Sequence, residues 1–216
     1  VGTHALLGNK IKFKKLGMLI IDEEQHFGVS QKEKIKNLRS DIHVLSLTAT
    51  PIPRTLQMSL AGLRDLSIIS TAPLNRQSIA TEVINFNEQD LKDAIQKELY
   101  RNGQIYYVCP RIKELKEVDD FLKKTMPALK YKIAHGQMPP KKLKNTMIDF
   151  YNNEFQLLLC TTIVESGLDL QKTNTMIIHN ADKFGLSQLY QLRGRIGRSN
   201  IEAFCYYTVK DINGIT

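Results

Sequence analysis

Cysteine is scarce in this chain: three in 216 residues, none of them in a C-x-x-C spacing. Cys109, Cys160 and Cys205 each sit singly in an apolar run. That pattern argues against a disulfide framework and a thiolate zinc site, and predicts buried free thiols in a reducing, cytoplasmic setting. Long apolar stretches are missing too. No run approaches the roughly 18 residues of a membrane span, and no charged-then-apolar leader pattern shows in the 216 residues. Repeats and low-complexity tracts are lacking. Acidic residues are in deficit, 22 against 30 Lys and Arg, for a net charge of +8. The balance favours a polyanionic partner, with nucleic acid the first expectation. The first residue is Val1, not Met, and the expectation is a piece of a longer chain.

What is present suits an α/β protein. Apolar residues make up 42% of the chain, enough for a core, and charged residues 24%. Short apolar runs alternate with helical patterns, which predicts parallel sheets flanked by helices. Strands are expected at 17–21, 42–50 and 66–70. A basic amphipathic segment lies near Glu33–Arg39, and a helix is expected to start at Pro53 and run through Leu56, Leu60 and Leu63. The segment 71–77, "TAPLNRQ", interrupts the pattern and marks a domain boundary, so that 1–72 and 73–216 form two lobes. Beyond it, helices are expected at 88–101 (stopped by Gly103), around Leu115–Leu122, around Leu143–Phe150 and at 186–195. The accompanying strands are 104–109, 131–134, 155–160, 175–179 and 203–209.

Function in such sheets collects in loops at the carboxyl ends of strands, and the chemically unusual stretches fall there. "LIIDEEQHFG" runs an apolar strand into three adjacent acids. Either solvent or a divalent cation must offset their repulsion. Mg²⁺ takes one or two protein carboxylates plus waters and phosphate oxygens, which leaves the neighbouring carboxylate to orient or deprotonate a water. A solvated acidic turn is the alternative. "LTATPIPRT" stiffens a strand end with two prolines and offers Thr48 and Thr50 hydroxyls to a carboxylate or a phosphate. "CTTIVESGLDL" places hydroxyls, acids and a glycine after a buried strand, a setting that commonly grips phosphate, and "GTH" at 2–4 is similar. "QLYQLRGRIGR" is the most informative. Arg193, Arg195 and Arg198 surround Gly194 and Gly197, and guanidinium groups suit bidentate phosphate contact. His135 and His179 are expected to be structural hydrogen-bonding residues.

Together, "DEEQ", "TAT", "TTIVESGLD" and "QLRGRIGR" resemble motifs II, III, V and VI of superfamily 2 helicases and translocases, in that order and at fitting spacing. "DEEQHFGVSQKEKIK", "LTATPIPRTL" and "GLSQLYQLRGRIGRS" are similar to the branch that holds RecG-type fork helicases and bacterial transcription-repair coupling factors. "GLRDLSII" and "MIIHNADKFGLSQLYQ" are nearer the latter.

The resemblance implies two RecA-like lobes, the first incomplete, that bind ATP and Mg²⁺ in their cleft and double-stranded DNA across their top. By position it implies Asp22 as the Mg²⁺ ligand, Glu23 as base for the attacking water and Gln25 as a link from the γ-phosphate. It implies Arg195 and Arg198 on the phosphates with Gln191 beside them, and Gly167 and Asp169 near the ribose. Thr3, Thr161 and Thr162 would touch the DNA backbone, while Thr48, Thr50 and Arg54 would contact DNA or couple hydrolysis to movement. RNA polymerase and an excision-repair damage-recognition protein are implied partners through regions outside these residues.

One departure is large. The phosphate loop G-x-x-x-x-G-K-[ST] has no counterpart in the 216 residues, so these residues alone are expected to hydrolyse ATP negligibly. Two other readings stay open: a RecG-type fork helicase, and a non-catalytic nucleic-acid-binding module in which the acids play no part.

Overall fold

The computed structural model describes residues 1–8, 11–23, 27–38, 42–48, 65, 67–69, 71, 77–165, 172–198 and 200–212. The expected helix from Pro53 lies outside them. The chain separates into two compact units, Val1–Ile69 and Ser70–Thr216; the sequence expectation divided it after residue 72.

In the first unit, strands β1 (Met18–Asp22) and β2 (His43–Leu47) pair in parallel, with Met18 opposite His43 and Asp22 opposite Leu47. Helix α1 (Val29–Leu38) connects them, the crossover that parallel neighbours require. A 3-10 turn, His4–Leu7, precedes the pair, and Thr3 Oγ1 caps it by accepting from the Ala5 N–H at 3.3 Å. Ile21 and Ile35 are buried. The third strand expected at 66–70 is not seen where it is described: Ser67, Ile68 and Ile69 form no strand, and the two isoleucines are exposed. Among the described residues, the sheet of this unit consists of β1 and β2.

The second unit is a six-stranded, all-parallel sheet. Its strands are β3 (Ile79–Asn85), β4 (Gln104–Val108), β5 (Tyr131–Ala134), β6 (Leu157–Cys160), β7 (Thr173–Ile178) and β8 (Ala203–Val209), laid out in the order 3-8-7-4-6-5. Helices α2 (Glu88–Tyr100) and α3 (Ile112–Thr125) cover one face, through Leu91, Ile95, Leu115, Val118 and Leu122. Helix α4 (Pro140–Tyr151) and helix α5 (Leu186–Arg193) cover the other through Phe150 and Leu192. Adjacent strand residues split between the two faces: Ile105, Tyr107, Leu157 and Leu159 on the first, Tyr106, Val108, Leu158 and Cys160 on the second. This is the period of two that a sheet buried on both sides imposes.

The expected α/β class with parallel sheets is therefore what the chain forms. Strand β3 was missed. It carries Ile79, Thr81, Val83 and Ile84, but it is an edge strand exposed at Thr81, Glu82, Val83 and Asn85, so it lacks the continuous apolar run that marked the others. Gly103 also has a different role from the one expected. The left-handed residue that ends α2 is Asn102, at φ 56°. Gly103 is there for room, because a side chain on it would collide with the Glu98 carboxylate. That carboxylate is buried, accepts from Thr175 Oγ1 at 2.6 Å and pairs with Arg101.

All three cysteines are free and buried, as expected. Burial pushes each thiol well above its ordinary range. No helix among the described residues is long and apolar enough to cross a membrane.

Candidate functional site

In the first unit the acids stand at the carboxyl end of β1. Asp22 is the last strand residue, and its side chain is exposed. Glu23 continues the ladder by one bond, its N–H donating to Leu47 O at 3.0 Å. It then turns into the left-handed region at φ 53°. A non-glycine residue there is uncommon, and such outliers gather at functional turns. Thr48 follows β2 at the same end and is exposed. Gln25, Thr50 and Arg54 lie outside the described residues.

The second unit gathers its candidates at the carboxyl edge of the large sheet. Thr161 follows β6; it is 9% exposed, and its N–H donates to Ala134 O at 3.3 Å. A 3-10 turn, Thr162–Glu165, comes next and packs beside α5, with Val164, Leu192 and Ile196 in one core. The turn and the arginine segment are thus one surface. Gln191 is half-buried on α5, Arg195 is half-buried just beyond it, and Arg198 is exposed. Arg193 stacks on the exposed Tyr190 ring at 4.7 Å, an arrangement that stiffens a guanidinium. Burial and Cys160 push the Tyr106 phenol up, while Thr173, Arg198 and Arg195 pull the other way. Gly167 and Asp169 lie outside the described residues.

Gly197 has a reason beyond access. Its φ is 69°, and a Cβ on it would lie 3.0 Å from Ile79 Cγ1 and 3.2 Å from Ala203 Cβ. Only glycine lets the chain turn here against β3 and β8 while placing Arg195 and Arg198 on either side.

Thr3, expected at a DNA backbone, uses its hydroxyl to cap a turn, although it remains exposed. His179 is structural, as expected, but not through hydrogen bonds. It is 2% exposed, packs edge-on to Phe86 at 5.2 Å, and neither ring nitrogen has a hydrogen-bond partner. Burial lowers its affinity for a proton, Lys183 and Lys210 adding to that, while Glu117 and Glu114 oppose it.

Among the described residues no cluster of three or more His, Cys, Asp or Glu side chains forms a metal cage. The cavity of about 670 Å³ between the carboxyl ends of α2 and α3, lined by Leu99, Tyr100, Met126 and Leu129, lies at the opposite edge of the sheet from these loops. It is not this site.

The all-parallel sheet thus carries the threonine turn and the arginine-rich segment together at one carboxyl edge. The chain belongs to the family of the helicase conserved C-terminal domain, whose model matches residues 88–200.

Over all 216 residues it is 55% identical to the transcription-repair-coupling factor of Rickettsia prowazekii, and 49% identical to that of Myxococcus xanthus. It spans only 19% and 18% of those two proteins. The solved structure of RecG bound to a three-way DNA junction matches 98% of this chain and 28% of its own, at 33% identity and a TM-score of 0.73. Saccharomyces cerevisiae Dbp5 bound to RNA and ADP BeF3 matches 97% of this chain and 57% of its own, with a TM-score of 0.70 at 16% identity. That last likeness bears on the fold alone. The parallel sheets match RecA-like helicase lobes, in agreement with the expected fold class.

Proposed function

We propose that this chain carries motor residues of an ATP-dependent double-stranded DNA translocase of the transcription-repair coupling type, which displaces stalled RNA polymerase and recruits excision repair. The observation that carries the reading is identity of 49–55% along the whole chain to the coupling factors of Myxococcus xanthus and Rickettsia prowazekii, against 33% for RecG. Residues 1–72 then belong to the first RecA-like lobe and 73–216 to the second. The setting is the bacterial cytoplasm.

In this reading Asp22 is the residue that holds Mg²⁺, and Glu23, set apart by its left-handed backbone, orients and deprotonates the attacking water. Bound Mg²⁺ neutralises charge on the nucleotide phosphates. Arg195 and Arg198 stabilise charge developing on the transferred phosphoryl group, with Gln191 beside them, while Gln25, Gly167 and Asp169 serve the nucleotide. Thr3, Thr161 and Thr162 face the DNA backbone, and Thr48, Thr50 and Arg54 couple hydrolysis to movement. The Thr3 hydroxyl, already engaged as a cap, contributes least of these. The phosphate-loop lysine has no counterpart here, so the 216 residues alone hydrolyse ATP negligibly.

The test uses the full-length protein. Duplex DNA is expected to stimulate its ATPase, and ATP to drive release of a stalled RNA polymerase from DNA. Glu23→Gln or Arg198→Ala should abolish that release while DNA binding persists and weakens steeply with salt. Binding and polymerase release both intact in Glu23→Gln would support a non-catalytic module. Regression of a model fork without polymerase release would support the RecG-type alternative, which the likeness to the junction-bound structure favours.

A further inference from the structure

The arginine segment is reached from β7 through a short connector, residues 179–185, whose structure is unusual. The His179 N–H donates to Val108 O at 2.8 Å, which continues the sheet ladder by one step. Asn180 then turns left-handed at φ 48°, and Ala181–Lys183 form a 3-10 turn before α5 begins. Thr208 of β8 grips the base of this connector: its Oγ1 accepts from the Asn180 N–H and donates to Ile178 O, both at 3.3 Å.

The far end of the connector is tied across the sheet edge. Lys183 Nζ donates to Glu114 Oε1 at 2.5 Å, 69 residues away on the first turn of α3. Helices α3 and α5 lie on opposite faces of the sheet, so the pair bridges one helical layer to the root of a helix in the other. It is only partly open to solvent, the side chains being 33% and 13% exposed for Lys183 and Glu114. The second carboxylate oxygen, Glu114 Oε2, is buried with no hydrogen-bond partner, as is the hydroxyl of Tyr107. Loss of the lysine would thus leave a largely buried carboxylate without compensation, the case in which breaking a pair matters most.

We propose that Lys183 and Glu114 are positioning residues that fix the root of α5, and so set where Arg195 and Arg198 lie, without touching nucleotide or DNA. The catalytic part of this inference rests on the motor reading above. The structural part does not.

Two measurements on the full-length protein separate them. In DNA-stimulated ATPase assays, Lys183→Glu and Glu114→Lys should each lower kcat by about tenfold, as misplacement of a reacting group does. KM for ATP should stay within about twofold. Lys183→Arg should retain activity, and the exchanged pair carrying both reversals should regain most of the lost kcat. Singles with unchanged kcat, or an exchanged pair that melts like the parent yet regains nothing, would overturn the proposal. The second measurement needs no catalysis. Amide hydrogen exchange across 186–198 should quicken by about tenfold in Lys183→Gln, a local loosening of about 1.4 kcal/mol. Exchange at the parent rate would overturn the proposal even where the parent protein shows no ATPase, the result that sinks the motor reading by itself.

Discussion

The two units place similar apolar strands in opposite situations. In the second, every residue of β4, β6 and β7 is buried, and helices lie on both faces of the sheet. In the first, Met18, Ile20, Leu45 and Leu47 of the two-stranded sheet are 43–58% exposed. Strand pairing is no less regular in the first, with five residue pairs in unbroken register between β1 and β2, while the β4–β7 ladder shifts register between Gln104 and Ile105. Regular pairing therefore says little about stability; what differs is burial, at about 25 cal/mol per Å² of apolar surface. The acids of the candidate site stand on the weakly covered unit and the arginines on the well covered one.

The comparison can be broken most drastically by cutting the chain. Residues 70–216 alone should melt in one cooperative transition, followed by circular dichroism, and residues 1–69 alone should show none. The next effect is a core truncation: Phe150→Ala, at a fully buried position, should destabilise the second unit by about 3–5 kcal/mol. Ile20→Ala, at 58% exposure, should change stability by less than about 0.5 kcal/mol. Urea titrations of the two variants test the contrast directly.

Gly197→Ala comes third, with an expected loss of about 1–3 kcal/mol from the strained φ and the contact with Ile79. Its urea midpoint should fall while Gly136→Ala, in an open position, leaves it nearly unchanged. The smallest effect is titration of His179. Burial favours the neutral ring, so its contribution is complete above its ordinary value of 6.5 and declines as pH falls below that, where the unfolded chain takes up the proton first. His179→Phe should therefore lose less stability than the parent on going from about pH 7.5 to about pH 5.5.

Much of the second unit was legible because its strands are buried on both sides. "QIYYVC", "FQLLLC" and "AFCYYTV" are nearly unbroken apolar runs, which little else produces. β3 was not legible for the converse reason: its exposed positions carry Thr81 and Glu82, and β-branching was its main signal. The loops at the strand ends stood out by residue type, which is what made Asp22, Glu23, Gln191, Arg195 and Arg198 candidates. Conformation within those loops was not. Nothing in the sequence announces that Glu23 is left-handed, that Asn102 rather than Gly103 ends a helix, or that His179 packs as an aromatic ring. The Lys183–Glu114 pair was equally hidden, because 69 residues and a whole sheet separate its members along the chain.

The three cysteines stand on β6, on β8 and just past β4, all in the second unit, and every one is buried with its thiol held protonated. A thiolate is the nucleophile that attacks a disulfide reagent, so each sulfur is silent while it stays buried in the sheet. The chain thus carries a native clock for the opening of one unit only. Cys205 lies beside edge strand β3, while Cys109 and Cys160 flank the central ladder. The order in which they become reactive would show from which side the second unit comes apart.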